Sequence, residues 1–396
     1  MVSPLTMQAS ERDDYYMLRA IRLARQGLYT TSPNPRVGCV LVRDDEVVGE
    51  GFHRFAGEGH AEVNALAVAG EQAKGATAYV TLEPCSHTGR TGPCCEALVK
   101  AGVVRVVVAM QDPNPAVDGG GTHFLRAHNI AVVCGVQEAT ARALNPGFIK
   151  RMTSGLPLVT AKLAMSVDGR TAMQSGESQW ITGPAARSQV QRLRARSCAI
   201  VTGVGSILHD DSSLTVRVSE LSLDDAEQIC RRQPLRVIMD SGLRTPVTAK
   251  ILQQPGRTVI AYCRDDQERR AALVAAGAEL IQLPCRDDRV DGRALLRWLA
   301  SEQQCNEVLL EAGSQLAGNW LGQGLIDELQ LFMAAKLLGS KARPLFSLPL
   351  DTMKEQVALD ISDIRAVGND WLISAKPQII DEQCAVKAPS DEAESH

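Results

Sequence analysis

The feature that most constrains this chain is a set of three potential metal ligands, His60, Cys85 and Cys94. Imidazole nitrogens and cysteine thiolates are ligands that zinc prefers, and three protein ligands leave the fourth tetrahedral position free for water. Glu62 follows His60 too closely to serve as a further ligand, and it is placed to carry protons between that water and a leaving amine. The sequence therefore predicts a catalytic metal site that the fold must assemble from separate segments.

Two other interpretations of these ligands stay open from the residues alone. The site could be structural, with Cys95 or His87 completing the coordination sphere, or the cluster could bind no metal. Cys95 is also a rival of Cys94 because the two are adjacent. Glu62 favours the catalytic interpretation, because a structural site needs no proton carrier. Since Gly92 and Pro93 precede Cys94, we expect a helix to begin there and to direct its positive end at the metal.

The ligand spacing resembles that of the zinc deaminases, which share an H-x-E and P-C-x-x-C pattern. Here eight residues, not two, separate Cys85 from Cys94. With this longer spacing, Thr81 to Cys95 closely resembles the deaminase half of the bifunctional riboflavin-biosynthesis deaminase/reductase family, and the resemblance selects Cys94 over Cys95. Further segments also resemble this family, the last two its reductase half: residues 32–38, 112–115, 162–170 and 177–182. The resemblance covers about residues 12 to 375.

The overall composition narrows the class of protein. A chain of 396 residues is long enough for two domains of ordinary size. A net charge of −4, a pI near 6.0 and only 4% aromatic residues argue against nucleic-acid binding. No apolar run approaches the roughly 20 residues of a transmembrane helix, and no signal peptide is evident. Eleven scattered cysteines fit a reducing compartment better than a disulfide framework, so we expect a soluble cytoplasmic enzyme without membrane or nucleic-acid partners.

Alternating strand and helix patterns predict an α/β fold in both halves. Asp44-Asp45 predicts a hairpin turn, and the continuous apolar run of residues 103–110 predicts a buried strand with parallel neighbours. The segment Ser154-Gly155-Leu156-Pro157 contains residues that interrupt helices and strands, and it indicates a boundary between two domains. We therefore expect a zinc-dependent pyrimidine deaminase domain over residues 1–153 and an NADPH-dependent reductase domain over 154–375. Residues 376–396 are polar and aperiodic and predict a disordered tail.

The resemblance implies a cytidine-deaminase-like layered fold for the first domain and a dihydrofolate-reductase-like fold for the second. It also implies substrate roles for Asn34 and Arg90. From the residues alone, Asn34 either hydrogen-bonds a pyrimidine edge or builds a turn between prolines. Arg90 either binds a phosphate or is a solvated surface arginine.

The second half lacks a strong dinucleotide fingerprint. Gly203 and Gly205 follow a predicted strand, but Leu208 occupies the third glycine's place, so a simple strand-to-helix turn explains the pattern equally well. Glu311 ends another predicted strand, and the small residues after it begin a helix. Backbone N–H groups at such a helix start can hold a phosphate, although an ordinary capped helix has the same pattern.

For this half, the resemblance implies the site residues. The residues it assigns to NADPH are Ala164, Trp180, Ser206, Asp210, Ser241, Gly313, Ser314, Gln315, Leu316, Ala317, Gly318 and Asn319. The residues it assigns to the ribose-phosphate substrate are Ser178, Arg194, Leu214, Arg217 and Glu311. Lys162 and Asp168 are candidates for orienting the sugar of this substrate, although a buried ion pair would also explain them. The chain departs from the family at Ser212, where a proline usually follows the aspartates.

The resemblance implies two consecutive reactions with one zinc ion and NADPH as cofactors. The first is hydrolytic deamination of 2,5-diamino-6-(5-phosphoribosylamino)pyrimidin-4(3H)-one, and the second is reduction of its ribosyl group to ribityl. We also expect a homo-oligomer. Three alternatives stay open: a deaminase with an inactive reductase domain, a nucleic-acid editing deaminase, and a metal-stabilised binding module without turnover. Charge disfavours the second of these, and Glu62 disfavours the third.

Overall fold

The computed structural model describes residues 8–86, 92–115, 117, 119–178 and 180–378. The chain divides into two compact units. Unit 1 comprises Met1–Leu158 and Ser188–Leu309, and unit 2 comprises Val159–Arg187 and Leu310–His396. The predicted disordered tail lies outside the described residues from position 379 onward, whereas residues 376–378 belong to the last strand.

The first half of the chain forms a sheet of five strands with helices between them. In chain order its elements are α1 (Ala9–Arg25), β1 (Gly38–Arg43), β2 (Glu46–Phe52), α2 (Ala61–Ala69), β3 (Thr77–Val80), α3 (Cys94–Lys100), β4 (Arg105–Val108), α4 (Gly120–Ala127), β5 (Ala131–Cys134), α5 (Glu138–Arg142) and α6 (Pro146–Ser154). A short 3-10 helix at Gly70–Ala73 follows α2. The strand order is β2-β1-β3-β4-β5.

This sheet is covered on both faces, as the apolar run of residues 103–110 predicts. β4 pairs in parallel with both β3 and β5. Successive side chains of a strand point to opposite faces. Accordingly, Val107 packs in one buried cluster with Tyr16 of α1, and Val106 packs in another with Ala65 of α2. The predicted β1–β2 hairpin is present too, with its Asp44-Asp45 turn.

The second half continues the alternation of strands and helices. In chain order its elements are β6 (Leu158–Ser166), β7 (Arg170–Ala172), α7 (Pro184–Arg196), β8 (Ala199–Gly203), α8 (Val204–Asp210), α9 (Val218–Leu221), α10 (Ala226–Cys230), β9 (Leu235–Met239), β10 (Thr258–Tyr262), α11 (Gln267–Ala275), β11 (Glu279–Gln282), β12 (Cys285–Arg286), β13 (Arg289–Val290), α12 (Gly292–Ser301), β14 (Glu307–Leu310), α13 (Ser314–Gly322), β15 (Glu328–Ala334), β16 (Arg343–Pro344), β17 (Ala358–Val367) and β18 (Asp370–Gln378). Short 3-10 helices lie at Lys250–Gln253 and Met353–Glu355.

The strands of the second half lie in both units. In unit 1, β11, β10, β9, β8 and β14 are successive neighbours, and the pairs from β8 to β11 are parallel. In unit 2 the order is β6-β15-β18-β17, with β6 and β15 parallel and the remaining pairs antiparallel. The predicted α/β class is confirmed, since strands and helices alternate in this half as they do in the first.

Unit 1 contains residues from both sides of the predicted boundary between positions 153 and 154. The predicted domain bounds therefore remain a prediction. In the same unit, Cys263 at the end of β10 forms a disulfide with Cys285 of β12, which the scattered cysteine pattern did not predict. In the described part of the chain, no helix has the length and apolar character needed to cross a bilayer.

Close contact between α2 and the β1–β2 hairpin depends on Gly51. A Cβ built there would lie 2.4 Å from the backbone nitrogen of Ala65 and 2.6 Å from the carbonyl oxygen of Ala61. Since both neighbours are helix backbone, they cannot move aside as a flexible side chain would. This contact fixes the position of α2 and thereby of the residues at its amino end.

We predict that Gly51→Ala lowers the free energy of unfolding by about 2 kcal/mol or more, because overpacking forces the backbone apart. Gly205→Ala is the matched control, since a Cβ there meets no atom within 4 Å. The control should change stability by at most about 1 kcal/mol. Urea unfolding followed by circular dichroism measures both, and equal midpoints for the two variants would contradict this account of the packing.

Candidate functional site

The three candidate metal ligands come from two helix starts and one loop. His60 is the residue that caps the amino end of α2, and Cys94 is the first residue of α3. Cys85 lies in the segment that follows β3. The structure therefore places the start of α3 at Cys94, as the sequence predicts, with Pro93 as the capping residue.

The three ligand atoms lie close enough to share one metal ion. Nδ1 of His60, Sγ of Cys85 and Sγ of Cys94 are all within 4.8 Å of one another. Nδ1 is 3.3 Å from the Cys94 sulfur and 3.6 Å from the Cys85 sulfur. Zinc bonds of about 2.3 Å to sulfur and 2.0 Å to nitrogen put tetrahedral ligands roughly 3.5 to 3.8 Å apart. The residues present therefore fit a zinc ion.

Cys95, the rival ligand, faces away from this cluster. Its thiol donates to the carbonyl oxygens of Pro84 at 3.1 Å and Gly121 at 3.6 Å. Burial raises its pKa to about 12, which disfavours the thiolate that a metal requires. His87, the other candidate for a fourth ligand, lies outside the described residues.

The amino end of α3 stabilises one thiolate of the cluster. The backbone N–H of Cys94 donates to the Cys85 sulfur at 3.4 Å. Hydrogen bonds from the Cys94 thiol and from His60 lower the pKa of Cys85 to about 4, against the opposing effect of burial. The pKa of Cys94 is raised, because its thiol donates to Cys85. A pair of thiols sharing one proton gives up that proton when a cation binds.

Glu62 lies in the first turn of α2 and is only 3% exposed. Burial raises the pKa of its carboxyl to about 7. A group that both takes up and releases protons works best when its pKa lies near the operating pH. The surroundings of Glu62 therefore suit a proton carrier beside the ligand cluster.

Asn34 lies in the loop before β1 and contacts a buried histidine. His53 is only 2% exposed and therefore lies in the interior of the protein. Nδ1 of His53 lies 3.1 Å from the Gly59 carbonyl oxygen and so carries the proton, leaving Nε2 to accept from the Asn34 amide at 3.1 Å. The His53 and His60 rings meet edge to face, with centroids 5.4 Å apart. The loop of Asn34 is thus connected to the ligand cluster through the side chain of His53.

Glu83 is a further buried carboxylate, which the sequence interpretation did not single out. It holds the backbone at Asp112, Gly119 and Thr122. Glu83 accepts from the backbone N–H groups of Thr122 at 2.9 Å, Asp112 at 3.2 Å and Gly119 at 3.3 Å. This connects the segment beginning at Asp112 to the segment of Cys85. Its place before Pro84-Cys85 was the available sequence signal. The predicted substrate residue Arg90 lies outside the described residues.

In unit 2, Lys162 of β6 and Glu311, which follows β14, form an ion pair with 3.7 Å between Nζ and Oε2. Gly313 caps α13 in an extended conformation. The predicted cofactor segment thus occupies the cap and the first turns of this helix, with the residues Gly313, Ser314, Gln315, Leu316, Ala317, Gly318 and Asn319. The expected start of a helix directly after Glu311 is therefore present.

The remaining predicted residues of unit 2 lie on β6, in the turn between β6 and β7, and in the loop after β7. Ala164 is on β6, and Ser178 lies in the loop. The Trp180 ring is 63% exposed and stacks under the Arg187 guanidinium at 4.6 Å. Asp168 accepts from the backbone N–H groups of residues 338 and 339. Its carboxylate therefore fixes a loop, which is a structural role beside the one proposed in the sugar site.

In unit 1, Ser206 and Asp210 lie on α8, and Ser241 follows β9. The Ser241 hydroxyl accepts from the backbone N–H of Val290 at 3.1 Å. Cofactor contact by these residues stays a prediction.

The predicted phosphate-binding residues of unit 1 surround the segment after α8. Arg194 donates to the Thr215 carbonyl oxygen at 3.1 Å, and Arg217 pairs with Glu220 at 2.8 Å. Leu214 is buried and has a positive φ of 51°. The departure at Ser212 thus precedes an unusual backbone conformation, and the assignment of both arginines to a phosphate stays a prediction.

Two family models match the chain. The model described as the cytidine and deoxycytidylate deaminase zinc-binding region matches residues 10–110. The model described as the RibD C-terminal domain matches residues 157–373.

Curated relatives match nearly the whole chain. The riboflavin biosynthesis protein RibD of Escherichia coli strain K12 is 50% identical over 365 residues, which cover 91% of this chain and 98% of that protein. The protein of the same name from Bacillus amyloliquefaciens is 39% identical over 92% of this chain and 96% of its own length.

Solved structures agree with these relatives. Acinetobacter baumannii RibD, form 2, superposes with a TM-score of 0.87 at 45% identity, covering 94% of this chain and all of that one. A Thermotoga maritima protein has a TM-score of 0.80 at 30% identity over 94% of this chain and 100% of that one. It is described as a diaminohydroxyphosphoribosylaminopyrimidine deaminase/5-amino-6-(5-phosphoribosylamino)uracil reductase.

We predict that Cys85→Ser and Cys94→Ser each deplete bound zinc at least tenfold, whereas Cys95→Ser retains it. A serine hydroxyl does not replace a thiolate ligand, and Cys95 points toward two carbonyl oxygens instead. Metal analysis of the three purified variants gives the answer. Loss of zinc from Cys95→Ser alone would show that the wrong cysteine has been chosen.

Proposed function

The chain belongs to the RibD family of riboflavin biosynthesis proteins, and from that premise we propose how its residues divide two reactions between two sites. It is a bifunctional deaminase and reductase, with zinc in the deaminase half and NADPH as the reductase cofactor. The single observation that carries the assignment of the first site is the convergence of His60, Cys85 and Cys94 beside buried Glu62.

The proposed substrates are those in the description of the Thermotoga maritima protein. The first step removes an amino group from 2,5-diamino-6-(5-phosphoribosylamino)pyrimidin-4(3H)-one, consuming water and releasing ammonia. The second step reduces the ribosyl group of the deaminated product to ribityl. Similarity over nearly the full length of both chains supports carrying these substrates over.

In the proposed deamination, His60, Cys85 and Cys94 hold the zinc ion, which polarises water and so makes it a better nucleophile. The carboxylate of Glu62 accepts a proton from the attacking water and delivers it to the nitrogen that leaves as ammonia. The position of Glu62, in the first turn of the helix that begins after His60, supports this role. A carboxylate at this place is buried from bulk water, which protects the transferred proton from exchange with solvent.

We assign the substrate side of this site to Asn34 and Arg90. The Asn34 amide donates to His53, which leaves its carbonyl oxygen to accept from a pyrimidine N–H. Arg90 follows Cys85 by five positions in the sequence, and a guanidinium suits the substrate phosphate.

When bound, NADPH would supply a hydride for reduction at C1′ of the opened sugar, and this chain's residues would bind and orient the two molecules. The amino end of α13 offers backbone N–H groups to a cofactor phosphate, beginning at Gly313. Lys162 and Glu311 form a charged pair that can orient sugar hydroxyls. Arg194 and Arg217 are assigned to the substrate phosphate.

The proposal includes a deaminase domain of residues 1–153 and a reductase domain of 154–375, a homo-oligomer and a cytoplasmic location. The two family models support the domain division, because the deaminase model ends at residue 110 and the reductase model begins at residue 157. The substrates are small pyrimidine compounds, and no nucleic-acid partner is proposed.

We predict that Glu62→Gln keeps its zinc but loses deamination by about 10²-fold or more, because an amide of nearly the same shape cannot carry a proton. Glu96→Gln is the matched control, since Glu96 is exposed in the first turn of α3. Ammonia release and zinc content are measured on both variants. Near-normal ammonia release by zinc-loaded Glu62→Gln protein would contradict the assigned role.

We predict that Glu311→Ala spares ammonia release and lowers kcat/KM for reduction by about tenfold or more, since hydrogen bonds to charged groups contribute of the order of 1.5 kcal/mol or more. NADPH oxidation with the already deaminated substrate measures this step alone. Glu302→Ala, an exposed change after α12, is the control. Parallel loss of both activities would argue against two separate sites.

A further inference from the structure

We propose that Asn306 and Glu307, which belong by sequence to the reductase half, position the loop that carries Asn34 in the deaminase site. This inference rests on the proposed contact between Asn34 and the substrate. The loop comprises residues 31–36, and all of its contacts described below lie within unit 1. Neither Asn306 nor Glu307 contacts substrate in this account, because each acts through the loop.

Asn306 holds the loop at the residue before Asn34. Its side-chain amide donates to the carbonyl oxygen of Pro33 at 2.7 Å. The side-chain oxygen Oδ1 of Asn306 accepts a hydrogen bond from Nε of Arg151 at 2.6 Å, which fixes the orientation of the side-chain amide. The Ser32 hydroxyl adds a hydrogen bond of 2.8 Å with the Cys198 sulfur, and this sulfur also accepts from the backbone N–H of Asn306 at 3.2 Å.

Glu307 holds the loop at its other end. Its carboxylate is 2.9 Å from the Arg36 guanidinium and 2.7 Å from that of Arg196. Arg36 is 7% and Glu307 6% exposed. Burial alone would raise the pKa of Glu307, but the two guanidinium groups outweigh this effect and lower it to about 2. The carboxylate is therefore ionised at neutral pH, where it pairs with both guanidinium groups.

The first half of the chain holds Arg36 from the opposite side. Asn145 exchanges two hydrogen bonds with the Arg36 backbone, at 2.8 and 2.9 Å. The Arg36 guanidinium also donates to the Leu144 carbonyl oxygen at 2.7 Å. The helix start that carries Asn145 lies directly against Asn306, because a Cβ on Gly147 would be 2.5 Å from the Asn306 carbonyl oxygen.

Asn34 lies between these two anchored points. Its backbone N–H donates to the carbonyl oxygen of Thr31 at 2.9 Å, and its side-chain amide donates to Nε2 of His53. A displacement of Pro33 or Arg36 therefore moves Asn34 relative to His53 and the metal ligands. The ligands themselves lie on α2, on α3 and after β3, so zinc binding does not depend on Asn306.

The test is a double-mutant cycle in the full-length chain with the variants Asn34→Ala, Asn306→Ala and both together. Ammonia release gives the deaminase KM and kcat, and zinc content and circular dichroism are measured in parallel. We expect Asn306→Ala to raise the deaminase KM about three- to tenfold with zinc content unchanged, the size of a lost hydrogen bond. In the Asn34→Ala background, the same change should have no further effect, because the two residues act as one unit.

Glu307→Gln and Arg196→Gln form a second comparison. Both remove charge from the same buried cluster, but only Glu307 contacts the loop directly. We expect the deaminase KM to rise more in Glu307→Gln than in Arg196→Gln. In the Asn306→Ala variant, reduction of the already deaminated substrate should be unchanged. If Glu307→Gln does not fold, the Asn306 cycle decides alone.

The outcomes separate this inference from the proposed function. If Asn34→Ala raises KM but Asn306→Ala does not, or if their effects multiply independently, the positioning role is wrong and the role of Asn34 stands. If Asn34→Ala leaves deamination unchanged, the assigned substrate contact is wrong, and the positioning role is rejected with it.

Discussion

The first reaction depends on the convergence of three ligand atoms from separate segments on one point beside a buried carboxylate. The contact between Gly51 and α2 fixes where that helix begins, and its beginning places both His60 and Glu62. The start of α3 brings Cys94 and its backbone N–H to Cys85. The proposed proton carrier and the proposed metal ligands thus depend on the same packing of helix starts against the sheet.

The second physical constraint is the buried charge of Glu307. An uncompensated carboxylate at this depth would be costly, so Arg36 and Arg196 are held beside it. Because Arg36 and Glu307 lie 271 positions apart, this interaction links distant parts of the chain. The proposed positioning role follows from this link: a change at Glu307, which belongs by sequence to the reductase half, alters the loop of Asn34 and leaves the metal ligands in place.

Local signals were sufficient to predict much of this structure. The parallel burial of β4 followed from its apolar run, and the start of α3 followed from Gly92 and Pro93. Residue types indicated a metal site, whereas the choice of Cys94 over Cys95 came from the family resemblance. Long-range partners were not predictable in this way. Nothing near Asn306 indicates Pro33 as its partner, and the Cys263–Cys285 disulfide has no distinctive spacing. The assignments that came from the family, such as those of Arg217 and Ser241, await experiment.

In the proposed deaminase site, zinc has three protein ligands and one open position beside Glu62. Zinc K-edge X-ray absorption on the purified full-length protein counts the sulfur neighbours directly. The account predicts two sulfur atoms at about 2.3 Å, one imidazole nitrogen, and one further nitrogen or oxygen that does not come from the protein. The further neighbour should change when a substrate analogue is added. Three sulfur neighbours, or a sphere closed by four protein ligands, would contradict it.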